Sequence, residues 1–260
     1  MKRIFIAFTV LIFTGCTSAK IALDNNWINP VEYAVKGRQG LLINQQLSFA
    51  EYKTTQVKRS WTKESAFSSG WAKRNPAGDI TNRISMEYVS KNQTIHFSLA
   101  DGKGAESDVF CVSNMEATSL VIGNNPNSIM SVMTEINMGD QRGRNNYYVQ
   151  LYSNGSDKPW EMLVDNEAAE VSPSSYRGLL AQSKSNYFTI VPINRLAGKN
   201  GKPTGLPMRG IGFEFRDKDN NPVAAVSLID AGIVYLQNAD GATRFLLANA
   251  CTALLLQEKI

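Results

Sequence analysis

One histidine, His96, and three cysteines, Cys16, Cys111 and Cys251, are the whole stock of imidazole and thiol groups in 260 residues. Zinc sites draw several such ligands, so no metal centre is expected. Thr94-Ile95-His96-Phe97-Ser98-Leu99 alternates, with Ile95, Phe97 and Leu99 on one face and His96 on the other. A second strand, Asp108 to Ser113, follows the turn Asp101-Gly102-Lys103-Gly104. Matching the apolar faces sets Ile95 opposite Val112, Phe97 opposite Phe110 and His96 opposite Cys111. A neutral imidazole beside a thiol is half of a cysteine nucleophile, which also needs an orienting group and an oxyanion pocket.

Paired carboxylates offer a second chemistry, because two Asp or Glu residues distant in sequence can converge on a glycosidic bond. Glu87, Asp101, Asp108, Glu161 and Glu214 lie on or beside strands. Their ordinary use there is as solvated groups. Known cofactor motifs fail on inspection. Asp217-Lys218-Asp219-Asn220-Asn221 imitates the start of a calcium loop, but Pro222 and Leu228 stand where glycine and glutamate are needed, so a hairpin turn is expected. Gly198 to Gly205 lacks the phosphate-loop spacing, and Gly210-Ile211-Gly212 lacks the third small residue of a dinucleotide fingerprint. No cofactor and no catalytic residue is therefore assigned.

The most polarised segment runs from Glu51 to Arg74: Lys53, Lys58, Arg59, Lys63, Lys73 and Arg74 against Glu51 and Glu64, interleaved with Trp61, Phe67 and Trp71. Cations beside aromatic faces suit an anionic glycan or headgroup, the ring stacking on a sugar while Arg meets an acid. Lys58, Arg59, Trp61 and Trp71 are the candidate ligand-binding set. The ordinary alternative is a strand with Trp61 buried and its charges solvated.

Of 27 Lys and Arg against 23 Asp and Glu, two cations, Lys2 and Arg3, head an apolar run from Ile4 to Phe13 that ends in Thr14-Gly15-Cys16. The run is too short to span a hydrocarbon core, which takes about 20 residues, and reads as a targeting segment. Without it the charge is nearly balanced, and no nucleic-acid partner is expected. Phe13-Thr14-Gly15-Cys16 resembles the lipobox of bacterial lipoproteins, with Phe13 where Leu is usual. The resemblance covers residues 1–16 and implies cleavage before Cys16, lipidation of Cys16 and stable attachment by several acyl chains. Thr17, in place of an aspartate, resembles an outer-membrane address, and Ser18-Ala19-Lys20 lacks an acidic export cluster. That places the protein on the periplasmic face, partnered with the membrane through its anchor. The body resembles those of uncharacterised bacterial lipoproteins, which implies no activity.

With Cys16 lipidated, Cys111 and Cys251 remain as an even pair in an oxidising compartment, and a disulfide between them is the leading expectation. Closing that span would contribute about 4–5 kcal/mol in the chain-entropy model, and it would remove the Cys111/His96 pair. Residues 1–15 are read as signal peptide and 16–27 as lipidated cysteine and tether, reaching roughly 30 Å if extended. Residues 28–260 are the body, with a weak break near 116 separating two lobes.

The elements that must position these groups are mostly short strands. Alternation marks 84–88, 130–136, 147–151 and 212–216. Two helices are expected: a short one after Ser172-Pro173, over 174–180, and a longer one from Asp240 through Gln257. The second is apolar nearly all round and should be buried across a sheet, with Cys251 facing a strand. The fold class is mainly β, an antiparallel β-sandwich or partly open barrel with a buried C-terminal α-helix. The functional expectation is a lipid-anchored, non-catalytic binding or structural module for an anionic glycan, lipid or envelope protein. The alternative is a periplasmic hydrolase using paired carboxylates or Cys111/His96.

Overall fold

Strand after strand in this chain carries apolar side chains at alternate positions, and those positions converge on one interior. The structure is a computed structural model that describes residues 19–38, 45–60, 94–115, 129–136, 138, 145–153, 156–198, 202–206 and 210–257. The strands are β1 (Val31–Ala34), β2 (Ser48–Phe49), β3 (Tyr52–Ser60), β4 (Thr94–Ala100), β5 (Glu106–Met115), β6 (Asn146–Ser153) and β7 (Trp160–Asp165), then β8 (Gly178–Ser183), β9 (Asn186–Ile193), β10 (Arg195–Leu196), β11 (Thr204–Gly205), β12 (Gly212–Arg216), β13 (Pro222–Ser227) and β14 (Ile233–Leu236). The helices are α1 (Ile129–Glu135), α2 (Asn166–Val171) and α3 (Gly241–Leu256).

Among the described residues, twelve strands form one antiparallel sheet in the order β1-β14-β13-β12-β9-β8-β7-β6-β5-β4-β3-β2, and β10 pairs with β11. The sheet is nearly closed into a barrel. A single bridge spans the gap: Lys36 N–H donates to the Ser48 carbonyl at 2.9 Å, and Ser48 N–H donates to the Lys36 carbonyl at 3.0 Å. Gly37 makes that close approach possible. Its φ is +81°, and a Cβ there would lie 1.9 Å from the Gln46 carbonyl oxygen. The mainly β expectation is met, in its barrel form. The strands on either side of residue 116, β5 and β6, are hydrogen-bonded neighbours in the one sheet.

α3 fills the barrel. Asp240 caps it by accepting from Thr243 N–H at 2.9 Å. From Phe245 to Leu256 every residue is buried, which no helix lying on one sheet achieves. Its contacts lie on opposite walls, β5 and β6 on one side and β13 and β14 on the other. The expectation of a helix packed across a sheet is thus corrected. An apolar circumference needs walls on all sides, and a ring of strands supplies them. The two polar residues inside, Asn249 and Thr252, bond back to the Phe245 and Ala248 carbonyls at 2.8 Å each. At the C-terminal end the open Leu255 and Leu256 carbonyls are taken by Arg38 Nε and Arg59 Nη2, and Tyr147 Oη donates to the Ala253 carbonyl, which also accepts from Gln257 N–H.

Two further clusters coat the outside. α1 lays Ile129, Val132 and Met133 over Val112, Tyr148, Leu163 and Leu179. Ile21, with Leu23 and Trp27 against it, covers Ile193, Ile211, Ala225 and Tyr235. Of residues 130–136, expected as a strand, 130–135 belong to α1 and 136 to the turn after it; the apolar residues recur at helical spacing. The helix expected over 174–180 is a turn leading into β8, and the short helix in that region is α2, capped by Asp165.

Candidate functional site

β4 and β5 pair one residue away from the expected register: Ile95 faces Cys111, His96 faces Phe110 and Phe97 faces Val109. Cys111 points into the barrel, while His96 points out and stacks on Phe110 with ring centroids 4.5 Å apart and planes 5° apart. The Cys111/His96 pair is therefore excluded, since a one-residue slip puts the two on opposite faces of the sheet. Burial pushes the Cys111 thiol up to about 12 and raises that of Cys251 further. Both are free thiols, and the expected Cys111–Cys251 disulfide is not formed. The Tyr147 hydroxyl and Arg59 pull the Cys111 thiol the other way without offsetting its burial. Burial also draws the His96 imidazole below its ordinary range, against the opposing pull of Asp108, whose Oδ1 is 3.6 Å from Nε2.

Lys58 and Arg59 are likewise split between the two faces. Lys58 is exposed and pairs across the sheet with His96, whereas Arg59 lies opposite Ile95 and turns inward to the last carbonyl of α3. They do not form one basic face, and Arg59 serves the helix terminus. Trp61 and Trp71 lie outside the described residues, as does Glu87.

Among the carboxylates, Asp101 holds its turn by accepting from the N–H groups of Lys103 and Ala105, and those bonds keep it below the usual carboxylate range. Asp108 accepts from Ser98 Oγ at 3.0 Å. Glu161 is half-buried on the outer wall, accepting from Tyr148 Oη at 2.5 Å and Ile129 N–H at 2.8 Å; desolvation nevertheless raises it. Glu214 is buried on β12. Glu161 and Glu214 are three inter-strand steps apart, about 14 Å across the sheet, and are aligned with Tyr187 and Val191 respectively on β9, so they are also offset along the strands, beyond the separation that glycoside hydrolysis uses.

Arg216, which the sequence reading did not single out as a site residue, organises a cleft on the outer wall. Its Nε donates to Glu214 Oε1 at 2.7 Å and its Nη2 to Asp24 Oδ2 at 2.9 Å. Trp27 Nε1 donates to the other Glu214 oxygen at 2.7 Å. Asp24 also accepts from Asn26 N–H, and the backbone bond together with Arg216 holds it below the ordinary carboxylate range. Arg195 adds a favourable charge near Asp24 without an ion pair or hydrogen bond of its own among the described residues. The cleft, of about 320 Å³, lies between the N-terminal segment at Ala22 and Asp24 and the turn at Pro173 and Ser174, with Val191 on its wall. No local pattern announces it, because Asp24 and Arg216 are 192 positions apart. Glu214 was visible as a strand carboxylate, but its partners were not.

The N-terminal segment reaches the cleft by pairing with the chain after β9. Ala22 N–H donates to the Arg195 carbonyl and Ala197 N–H to the Lys20 carbonyl, each at 2.8 Å. Residues 20–27, which the sequence reading assigned to a tether, are docked on the wall, with Ile21 buried and bridged to Leu196. No group of three or more His, Cys, Asp or Glu side chains among the described residues is placed to hold a metal ion. No protein-family model, curated protein or solved structure matches this chain.

Proposed function

We propose that the chain is a lipid-anchored bacterial envelope protein, attached through Cys16 at the periplasmic face of the outer membrane. Its barrel acts as a non-catalytic binding or structural module for an anionic glycan, a lipid or an envelope protein. One observation carries the reading of the body: α3 occupies the interior, so recognition is confined to the outer wall. The docked segment supports the anchor reading. From Cys16 to Lys20 the chain reaches about 14 Å at full extension, which holds that side of the barrel close to the bilayer.

The arrangement of acids favours binding over hydrolysis. A glycosidase needs one carboxyl group to carry a proton to the leaving oxygen, with its pKa raised for that task. Asp24 is shifted the opposite way, and both Glu214 oxygens already accept hydrogen bonds. Glu161 is raised but is committed to Tyr148 and the start of α1.

Intact mass of the membrane-extracted protein tests the anchor. The expected result is a chain beginning at acylated Cys16, recovered with outer-membrane vesicles. A mature chain without lipid, or one recovered in the soluble periplasmic fraction, refutes it.

A further inference from the structure

We infer that the cleft above β9 is a ligand site for a single carboxylated sugar residue, bound rather than transformed. The inference deepens the binding-module reading above and rests on it. Its size, about 320 Å³, lies at the lower end of small-molecule pockets, roughly 300–1,000 Å³, and so suits one ring rather than a chain. Its walls are mixed in the way a sugar requires. Val191, Pro173 and Ala22 offer apolar surface to ring C–H groups, while Asp24, Ser174 and Asn194 offer oxygen and amide groups to hydroxyls.

The polar wall is fixed before any ligand arrives. Glu214 is only 2% exposed and is held by Trp27 and Arg216, and the same guanidinium positions Asp24. Such a fixed array costs little ordering on binding. Arg216 is spent internally on Glu214, Asp24 and Asn220, which leaves Arg195, among the described residues, as the cleft's available cation. One unpaired guanidinium matches one carboxylate, with two parallel hydrogen bonds. A dianionic phosphate meets the same guanidinium but also faces the Asp24 and Glu214 carboxylates, so the site favours a singly charged, hydroxyl-rich ligand.

The test is calorimetric titration of the full chain in detergent micelles at about pH 8, where inorganic phosphate is mostly dianionic, with glucuronate, glucose and inorganic phosphate. Glucuronate should bind one to one, glucose at least tenfold more weakly, and phosphate without saturation. Arg195→Ala should weaken glucuronate at least tenfold, to the level of glucose, with the thermal midpoint unchanged because the side chain is exposed. Ser174→Trp, which fills the cleft, should abolish uptake of both sugars. Absence of glucuronate binding, phosphate binding as tight as glucuronate, or full affinity in Arg195→Ala each overturns the inference. Incubation with p-nitrophenyl glucuronide separates the two levels. Release of p-nitrophenol refutes the non-catalytic reading, whereas failure to bind without release refutes the cleft assignment alone.

Discussion

Inside the largely apolar barrel, Ser107 on β5 meets Asn249 on α3, the Ser Oγ–H donating to Asn249 Oδ1 at 2.5 Å. The two residues are 3% and 1% exposed, so neither has water as a substitute partner. Ser107→Ala leaves the Asn249 oxygen without its donor. Asn249→Leu, close in volume, leaves the Ser107 hydroxyl only a long 3.4 Å contact to the Leu99 carbonyl. Each single change should cost about 1–3 kcal/mol, the penalty for a buried polar group left unpaired. The double variant replaces both partners with apolar groups and should be less destabilised than the two singles summed, with a coupling of about 1–3 kcal/mol. In a domain of this size about 2 kcal/mol corresponds to roughly 4–8 °C in midpoint. Urea unfolding followed by far-ultraviolet circular dichroism gives all four stabilities. If the double variant equals the sum of the singles within about 0.5 kcal/mol, the pair does not lock the helix to the wall and the argument fails.

Gly37→Ala forces a Cβ against the Gln46 carbonyl and should destabilise the fold; hydrogen exchange should show protection lost first at the Lys36 and Ser48 amides, and unchanged protection there refutes the seam. For Glu161, burial raises the folded-state pKa above the unfolded value, so the folded state binds the proton more tightly. Stability from this group is fully present below the unfolded pKa of about 4.3 and is lost as pH rises through the folded value. Glu161→Gln should flatten that fall in a pH series of urea midpoints, and an unchanged slope refutes the assignment. Iodoacetamide at pH 8 should leave Cys111 and Cys251 untouched in the folded protein and label both in denaturant without reductant; native labelling refutes their burial, and resistance in denaturant would reveal a bridge.

What the sequence conveyed depended on whether one face or both were covered. α3 was legible because Asp240 is a cap and the apolar residues run round the whole circumference, although that pattern cannot say whether sheets or a barrel supply the walls. β5 misled for the same reason in strand form. Val109 and Cys111 face the interior while Val112 lies under α1 on the outside and Phe110 under the His96 ring. With both faces apolar, alternation does not fix the register, and the one-residue slip created an apparent His96–Cys111 contact. At α1, Ile129, Val132, Met133 and Ile136 carried the helical period, but Met130, Val132 and Thr134 also alternate, and the shorter period was read instead. Asp24, Arg195 and Arg216 had no local signature, since their proximity is made by the N-terminal segment folding back along the wall.

Because the element that fills the barrel comes after every strand of its wall, order of synthesis and order of assembly conflict. The ribosome delivers β1 through β14 before α3, and β1 must wait for β14, about 200 residues later, to gain its neighbour. Until then the inward faces of the strands have nothing to close upon, and both apolar surface and strand edges stay exposed. Contacts this distant in sequence make closure slow, and they tie the two ends of the chain to a single late event. Loss of the final segment would consequently not leave an empty vessel: without its rod the ring has no core to wind around, and a truncation near residue 240 should behave as an unfolded chain.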